Sequence, residues 1–303
     1  MSLFIQGMRR SGTTILYDAL LEDPELRCFY EPLREQDETV GGGSGARATD
    51  AFGETRALRE QFQRTRYPDV PIEEFNWGGP RDPALELDEG LPDHCRELLA
   101  FLVGQAPEVV IKETRLYRKL ADVAAINPDV RLVHLVRDPR AVTASIMFGR
   151  RGRHGDRFPT ADAFFAERSK RKLWSTRRIS ELLFEGGYPQ IADPPDFMRV
   201  LAVWKAAFEA TRSGGETLLG ERYLRVRHED LSTEPVTTLG RVYRFAERPI
   251  PDEVSAWAIE HVQAVRPIPF EDDPRWAEAA ERLGLRELAH EAGYTGLGAT
   301  LAQ

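Results

Sequence analysis

Cysteine is nearly missing from this chain, with 2 in 303 residues: Cys28 in an apolar stretch and Cys95 in a helical one. Two thiols cannot build a disulfide framework, and such sparse usage fits a reducing compartment. No apolar run approaches the roughly 18 residues that a membrane span needs, and the first strand-like segment begins at Leu3, leaving no room before it for a signal peptide or anchor. A cytoplasmic location without an integral membrane segment is therefore expected. A surplus of positive charge is missing too. The formal net charge is −8, which argues against a nucleic-acid partner, because phosphate backbones are met by basic faces. No internal repeat is visible, and no glycine- and serine-rich linker splits the chain. With 42% apolar residues it can bury a core as a single domain over 1–303.

One further absence is the most informative. Gly7-Met8-Arg9-Arg10-Ser11-Gly12-Thr13-Thr14 has the glycine spacing of a phosphate-binding loop, but threonine stands where a nucleoside triphosphatase places its lysine. Apolar Leu3-Phe4-Ile5 before it and Ile15-Leu16-Tyr17-Asp18-Ala19-Leu20-Leu21 after it supply the strand and helix that such a loop requires. Glycine lets the backbone close round an anion, and the positive end of the helix dipole lies behind it. The cation, Arg10, has moved ahead of Ser-Gly-Thr-Thr.

Three other segments share this strand-then-charge pattern. Val130 to Val136 is a short apolar run followed by Arg137-Asp138-Pro139, where Pro139 suits the first turn of a helix and Ser145 falls about two turns beyond Arg137. Arg27-Cys28-Phe29-Tyr30-Glu31-Pro32-Leu33 reads as a strand ending in a carboxylate, with Pro32 biasing Glu31 to an extended conformation. Val109-Val110-Ile111-Lys112-Glu113-Thr114-Arg115 is again strand-like and ends in a cation.

In motif order this set resembles the sulfotransferases that use 3′-phosphoadenosine 5′-phosphosulfate (PAPS), whose first signature reads Arg or Lys followed by Ser-Gly-Thr-Thr. The resemblance implies that Arg9, Arg10, Ser11, Gly12, Thr13 and Thr14 cradle the 5′-phosphosulfate, while Arg137 and Ser145 hold the 3′-phosphate. A similar Tyr-Glu-Pro occurs in carbohydrate 6-O-sulfotransferases, and tyrosylprotein sulfotransferases place a general-base glutamate at the position of Glu31. Lys112 matches a lysine that faces the transferring group in both branches. Arg10, Glu31 and Lys112 are thus the catalytic candidates, with Glu31 removing the acceptor proton and the two cations meeting charge on the leaving phosphate. Arg115 either touches the acceptor or caps a helix. His228 stands where the family usually writes tyrosine in Arg-Tyr-Glu-Asp-Leu, and it either substitutes for that ring or packs. Arg150, Arg151 and Arg266 are open as further phosphate contacts, and His154 as a second base.

The strands expected near residues 3, 28, 109, 131 and 224, each followed by helical sequence, imply an α/β fold. It would have three layers around a central parallel sheet, the P-loop-like fold of these sulfotransferases. One helix is expected from about Thr160 to Gly186-Gly187. Residues 41–108 and 150–200 match no signature and read as acceptor-side insertions, with Gly41 to Gly45 a mobile loop. The reading is a bacterial PAPS-dependent transferase, needing no metal, that acts on a small-molecule or glycan hydroxyl. A divergent P-loop kinase and a noncatalytic nucleotide-binding protein are the rivals, and the oligomeric state is left open.

Overall fold

The computed structural model describes residues 1–34, 46–77, 82–149, 158–170, 173 and 176–297. Gly41 to Gly45, Arg150, Arg151 and His154 lie outside the described residues. In chain order the regular elements are β1 (Ser2–Gln6), α1 (Thr13–Leu21), β2 (Arg27–Tyr30), α2 (Ala46–Arg66), α3 (Asp93–Val103), β3 (Val109–Glu113), α4 (Leu120–Ile126), β4 (Val130–Val136) and α5 (Pro139–Phe148). They continue with α6 (Ala161–Ala166), α7 (Thr176–Gly187), α8 (Asp196–Leu218), β5 (Tyr223–Arg227), α9 (His228–Thr233), α10 (Pro235–Phe245), α11 (Asp252–His261), α12 (Arg275–Arg282) and α13 (Arg286–Glu291). Two compact units result: Met1–Val136 with Ala210–Val265, and Arg137–Glu209 with Arg266–Gln303.

The first unit is built on the expected parallel sheet, in the order β2-β3-β1-β4-β5. Ile5 of β1 sits opposite Lys112 of β3 and Val133 of β4, and Tyr30 of β2 also sits opposite Lys112. Every residue of β1 and β3 is buried, as central strands covered on both faces require. The period-two alternation of strand side chains then divides the core into two layers. Leu3, Ile5, Cys28, Tyr30, Val110, Val133 and Leu135 pack with α1, α10 and α11. Phe4, Phe29, Val109, Ile111, Val130 and Leu132 pack with α3 and α4 on the other face. Cys28 and Cys95 are both buried free thiols.

The second unit is helical around an aromatic core, in which Trp276 meets the rings of Phe164, Phe165 and Phe197 edge-on or tilted. Asp138 caps α5 by accepting the Arg140 N–H at 2.8 Å, with Pro139 at the first helical position. The single helix expected from Thr160 is instead split into α6 and α7. Glu167 turns its own carboxylate onto the N–H groups of Arg168 (3.0 Å) and Ser169 (2.7 Å), and Asp196 accepts from the Lys170 N–H at 3.0 Å. These side chains offer the backbone an alternative to helical bonding, and neither Gly nor Pro announces the break.

Candidate active site

The chain leaves β1 through Gly7, where a side chain is excluded: an added Cβ would run into the carbonyl oxygen of Leu135 and lie 2.9 Å from Cγ2 of Thr13. The loop then takes left-handed backbone at Arg10 (φ 74°) and Gly12 (φ 92°) before α1 starts at Thr13. Its turn is closed by Ser11 N–H donating to Met8 O at 3.0 Å, and the first helical bond runs from Ile15 N–H to Gly12 O at 3.0 Å. Glycine is the residue that accepts such φ without strain, so Gly12 is explained and Arg10 carries a conformational cost. Ser11 and Thr13 are buried, while Arg9, Arg10, Gly12 and Thr14 are half-buried. His228, at the start of α9, packs its ring on Gly12, with Cε1 2.8 Å from where a Cβ would stand.

Beside this loop, at the carboxyl ends of β2 and β3, lies a buried ion pair. Glu31 accepts from Lys112 Nζ and, at 3.0 Å, from Arg34, with the Thr114 hydroxyl at 3.5 Å. Lys112 is almost completely buried and also lies 4.2 Å over the Tyr30 ring, whose hydroxyl meets Thr14 Oγ1 of the loop at 3.2 Å. Burial alone would raise the Glu31 pKa, but Lys112, Arg34 and Arg115 together hold its carboxyl far below the usual carboxylate range. Lys112 is pushed the other way: burial lowers it, yet Glu31 raises it on balance.

Contrary to the extended conformation expected before Pro32, Glu31 has φ 41°. Its N–H donates to Lys112 O at 2.7 Å, and its own carbonyl accepts from Arg34 N–H at 2.9 Å. The chain therefore turns sharply at Glu31 and leaves the strand there, where simple pre-proline sterics would have kept it extended.

A second carboxylate, Glu86, is fully buried between two guanidinium groups: it is hydrogen-bonded to Arg9 and lies 3.4 Å from Arg115 Nε. The segment that carries it is fixed by Lys119, whose ammonium donates to the carbonyls of Leu85, Glu86 and Asp88 at 3.0, 2.7 and 2.5 Å. Arg9, expected among the loop's phosphate ligands, is thus engaged with Glu86. Sequence reasoning missed Glu86 because Leu85-Glu86-Leu87-Asp88 alternates acid and apolar residues, as a wet surface turn would. Glu113 was also passed over, although two adjacent charges ending a strand of otherwise apolar residues are a readable signal.

In the second unit, Arg137 directly follows β4 and is half-buried, and its carbonyl accepts from Trp204 Nε1 at 2.9 Å. Ser145 is half-buried on α5, as the spacing predicted. Arg266 is exposed in a stretch without helix. Among the described residues no group of three or more His, Cys, Asp or Glu side chains is placed to hold a metal ion, and no helix is long and apolar enough to cross a membrane.

The parallel sheet, the glycine-bounded loop after β1 and the buried carboxylate–ammonium pair at neighbouring strand ends place a site at the carboxyl edge of an open α/β sheet, where this class of protein binds its ligands. A sequence model described as the Sulfotransferase family matches residues 2–177, a stretch that holds the loop, Glu31, Lys112, Arg137 and Ser145. The chain belongs to the sulfotransferase family. Carbohydrate sulfotransferase 2 of Homo sapiens is 32% identical over 174 residues, covering 50% of this chain and 29% of that protein. Carbohydrate sulfotransferase 3 of Tetronarce californica is 27% identical over 157 residues, covering 51% and 30%. The matches therefore span less than a third of these relatives' length. The crystal structure of sulfotransferase STF9 from Mycobacterium avium superposes with TM-score 0.50 and 16% identity over 86% of this chain and 68% of that one, a likeness of fold.

Proposed function

We propose that this chain transfers a sulfuryl group from PAPS to a hydroxyl of a small-molecule or glycan acceptor. The observation that carries the reading is the buried Glu31–Lys112 pair beside a loop whose glycines cannot take a side chain. A loop with left-handed Arg10 and Gly12 and the opening N–H groups of α1 suits a 5′-phosphosulfate. Arg10, Ser11, Gly12, Thr13 and Thr14 would hold that group, with Arg9 braced beside them by Glu86, and Arg137 and Ser145 would take the 3′-phosphate.

PAPS supplies an activated sulfur whose bond to the bridging phosphate oxygen breaks as the acceptor oxygen bonds to it, the electron pair leaving on adenosine 3′,5′-bisphosphate. Glu31, ionised at neutral pH by its cationic neighbours, receives the acceptor proton. Lys112 and Arg10 meet the charge that grows on the leaving oxygen. Because Lys112 also holds the Glu31 proton affinity down, any negative charge that draws its ammonium away makes Glu31 a stronger base at the moment one is needed. The buried free thiols fit a reducing, cytoplasmic setting for this reaction.

The test is thermal unfolding with nucleotides in the absence of metal. Adenosine 3′,5′-bisphosphate at 100 times its Kd should stabilise the chain by about 2.7 kcal/mol, and adenosine 5′-phosphate at the same concentration by less. Stabilisation by ATP with Mg²⁺ and none by the bisphosphate would overturn the reading in favour of a kinase.

A further inference from the structure

We propose that Glu113 is a positioning residue for Glu31, holding the turn that presents the Glu31 carboxylate at the end of β2. This rests on the reading of Glu31 as the base. Glu113 is the last residue of β3 and is buried, and its two oxygens accept backbone N–H groups, one from Leu33 in the segment after β2 at 2.8 Å and one from the next residue, Thr114, at 3.3 Å. The Glu31 N–H donates to the Lys112 carbonyl one residue earlier on the same strand. Glu31, Pro32 and Leu33 are thus tied to β3 at both ends, by a main-chain carbonyl before the proline and by the Glu113 side chain after it.

Such ties are what a non-glycine residue at φ 41° ahead of a proline requires, because the backbone does not choose that conformation unaided. The reach between these groups is also short: Tyr30 and Lys112 are opposite in the sheet, so Glu31 and Glu113 follow directly from a paired position.

Glu113 has an electrostatic effect as well. The charged and titratable groups facing it are Glu31 after β2, Lys112 within β3, Arg115 beyond β3, Arg59 from α2 and Cys95 from α3. Burial, followed by the charge of Glu31, raises its carboxyl to about 7. Its ionisation near neutral pH therefore adds a negative charge beside Glu31 and strengthens Glu31 as a proton acceptor.

Two variants and three readouts test the assignment. In Glu113→Ala, exchange of the Leu33 amide hydrogen should accelerate relative to the amides of β1, and kcat should fall on the order of 10- to 100-fold with the donor KM little changed. In Glu113→Gln, whose side-chain carbonyl can still accept from Leu33, amide protection should return and kcat recover in part. The rise of rate through pH about 7 should be absent from Glu113→Gln. Leu33 exchange unaltered in Glu113→Ala, or a kcat equal to that of the unmodified chain, would overturn the proposal. So would a pH profile of Glu113→Gln that keeps the rise. If no acceptor is turned over and the bisphosphate does not bind, the functional reading fails, whereas the exchange comparison still decides whether Glu113 holds the turn.

Discussion

Glu31 was visible in the sequence as an acid ending a strand, yet what makes it chemically specific was not. Its partner Lys112 lies 81 positions away, and the two meet because β2 pairs with β3 in one register. No local pattern carries that pairing. The left-handed turn was hidden for a related reason: Pro32 points to extended backbone, and the hydrogen bonds that override it come from a distant strand. Glu31→Gln should lower turnover by roughly 10²–10⁴-fold, the usual scale for losing a general base, while the bisphosphate still stabilises the protein. The same change removes one partner of a buried ion pair and should cost about 3–5 kcal/mol of unfolding free energy, read by urea denaturation. Undiminished turnover would remove Glu31 as the base.

Strands were the most legible elements: β1, β3 and β4 are short runs rich in apolar residues, as buried parallel strands are, and β5, Tyr223-Leu224-Arg225-Val226-Arg227, was placed by its likeness to the family's late strand; all five stand where they were expected. The start of α1 after Gly12 and the start of α5 after Asp138 were legible from glycine and from the Asp-Pro cap. The split between α6 and α7 was not, since side-chain bonds from Glu167 and Asp196 make it and no breaker residue marks it. At this scale the contact between the loop and α9 makes a sharp prediction. Gly12→Ala adds a Cβ both at φ 92° and against the His228 ring, and the backbone term alone should cost about 1–2 kcal/mol. Adding His228→Ala should relieve the ring contact but not the backbone, restoring part of the lost melting temperature. No recovery in the double variant would mean that the ring yields without cost.

Across the whole molecule, two buried groups pull the pH dependence of stability in opposite directions. His134 on β4 is driven down from 6.5 to about 3, mainly by burial, so its contribution is complete above the unfolded value and is lost as pH falls. Glu113 is driven up from 4.5 to about 7, so its contribution is complete below the unfolded value and is lost as pH rises. Each has a slope of about 1.4 kcal/mol per pH unit within its window. The two oppose one another between 4.5 and 6.5, and unfolding free energy should be nearly flat there. Below that range His134 acts together with Glu31, whose depressed carboxyl also loses its contribution on acidification, and stability should drop steeply. Denaturation curves across this range check the shape. In Glu113→Gln the plateau should become a rise with pH, and a plateau that persists would show that other groups set it.

Glu86 sits in a short turn after Asp82, far along the chain from the loop after β1, yet it is the counter-charge of Arg9 in that loop. A change at either of these two positions is therefore felt at the other, because removing one partner of a buried ion pair leaves the other charge uncompensated. Exchanging this turn for one without an acid would strand the Arg9 guanidinium unless the arginine were given up as well, so a graft of the segment has to carry its own counter-charge.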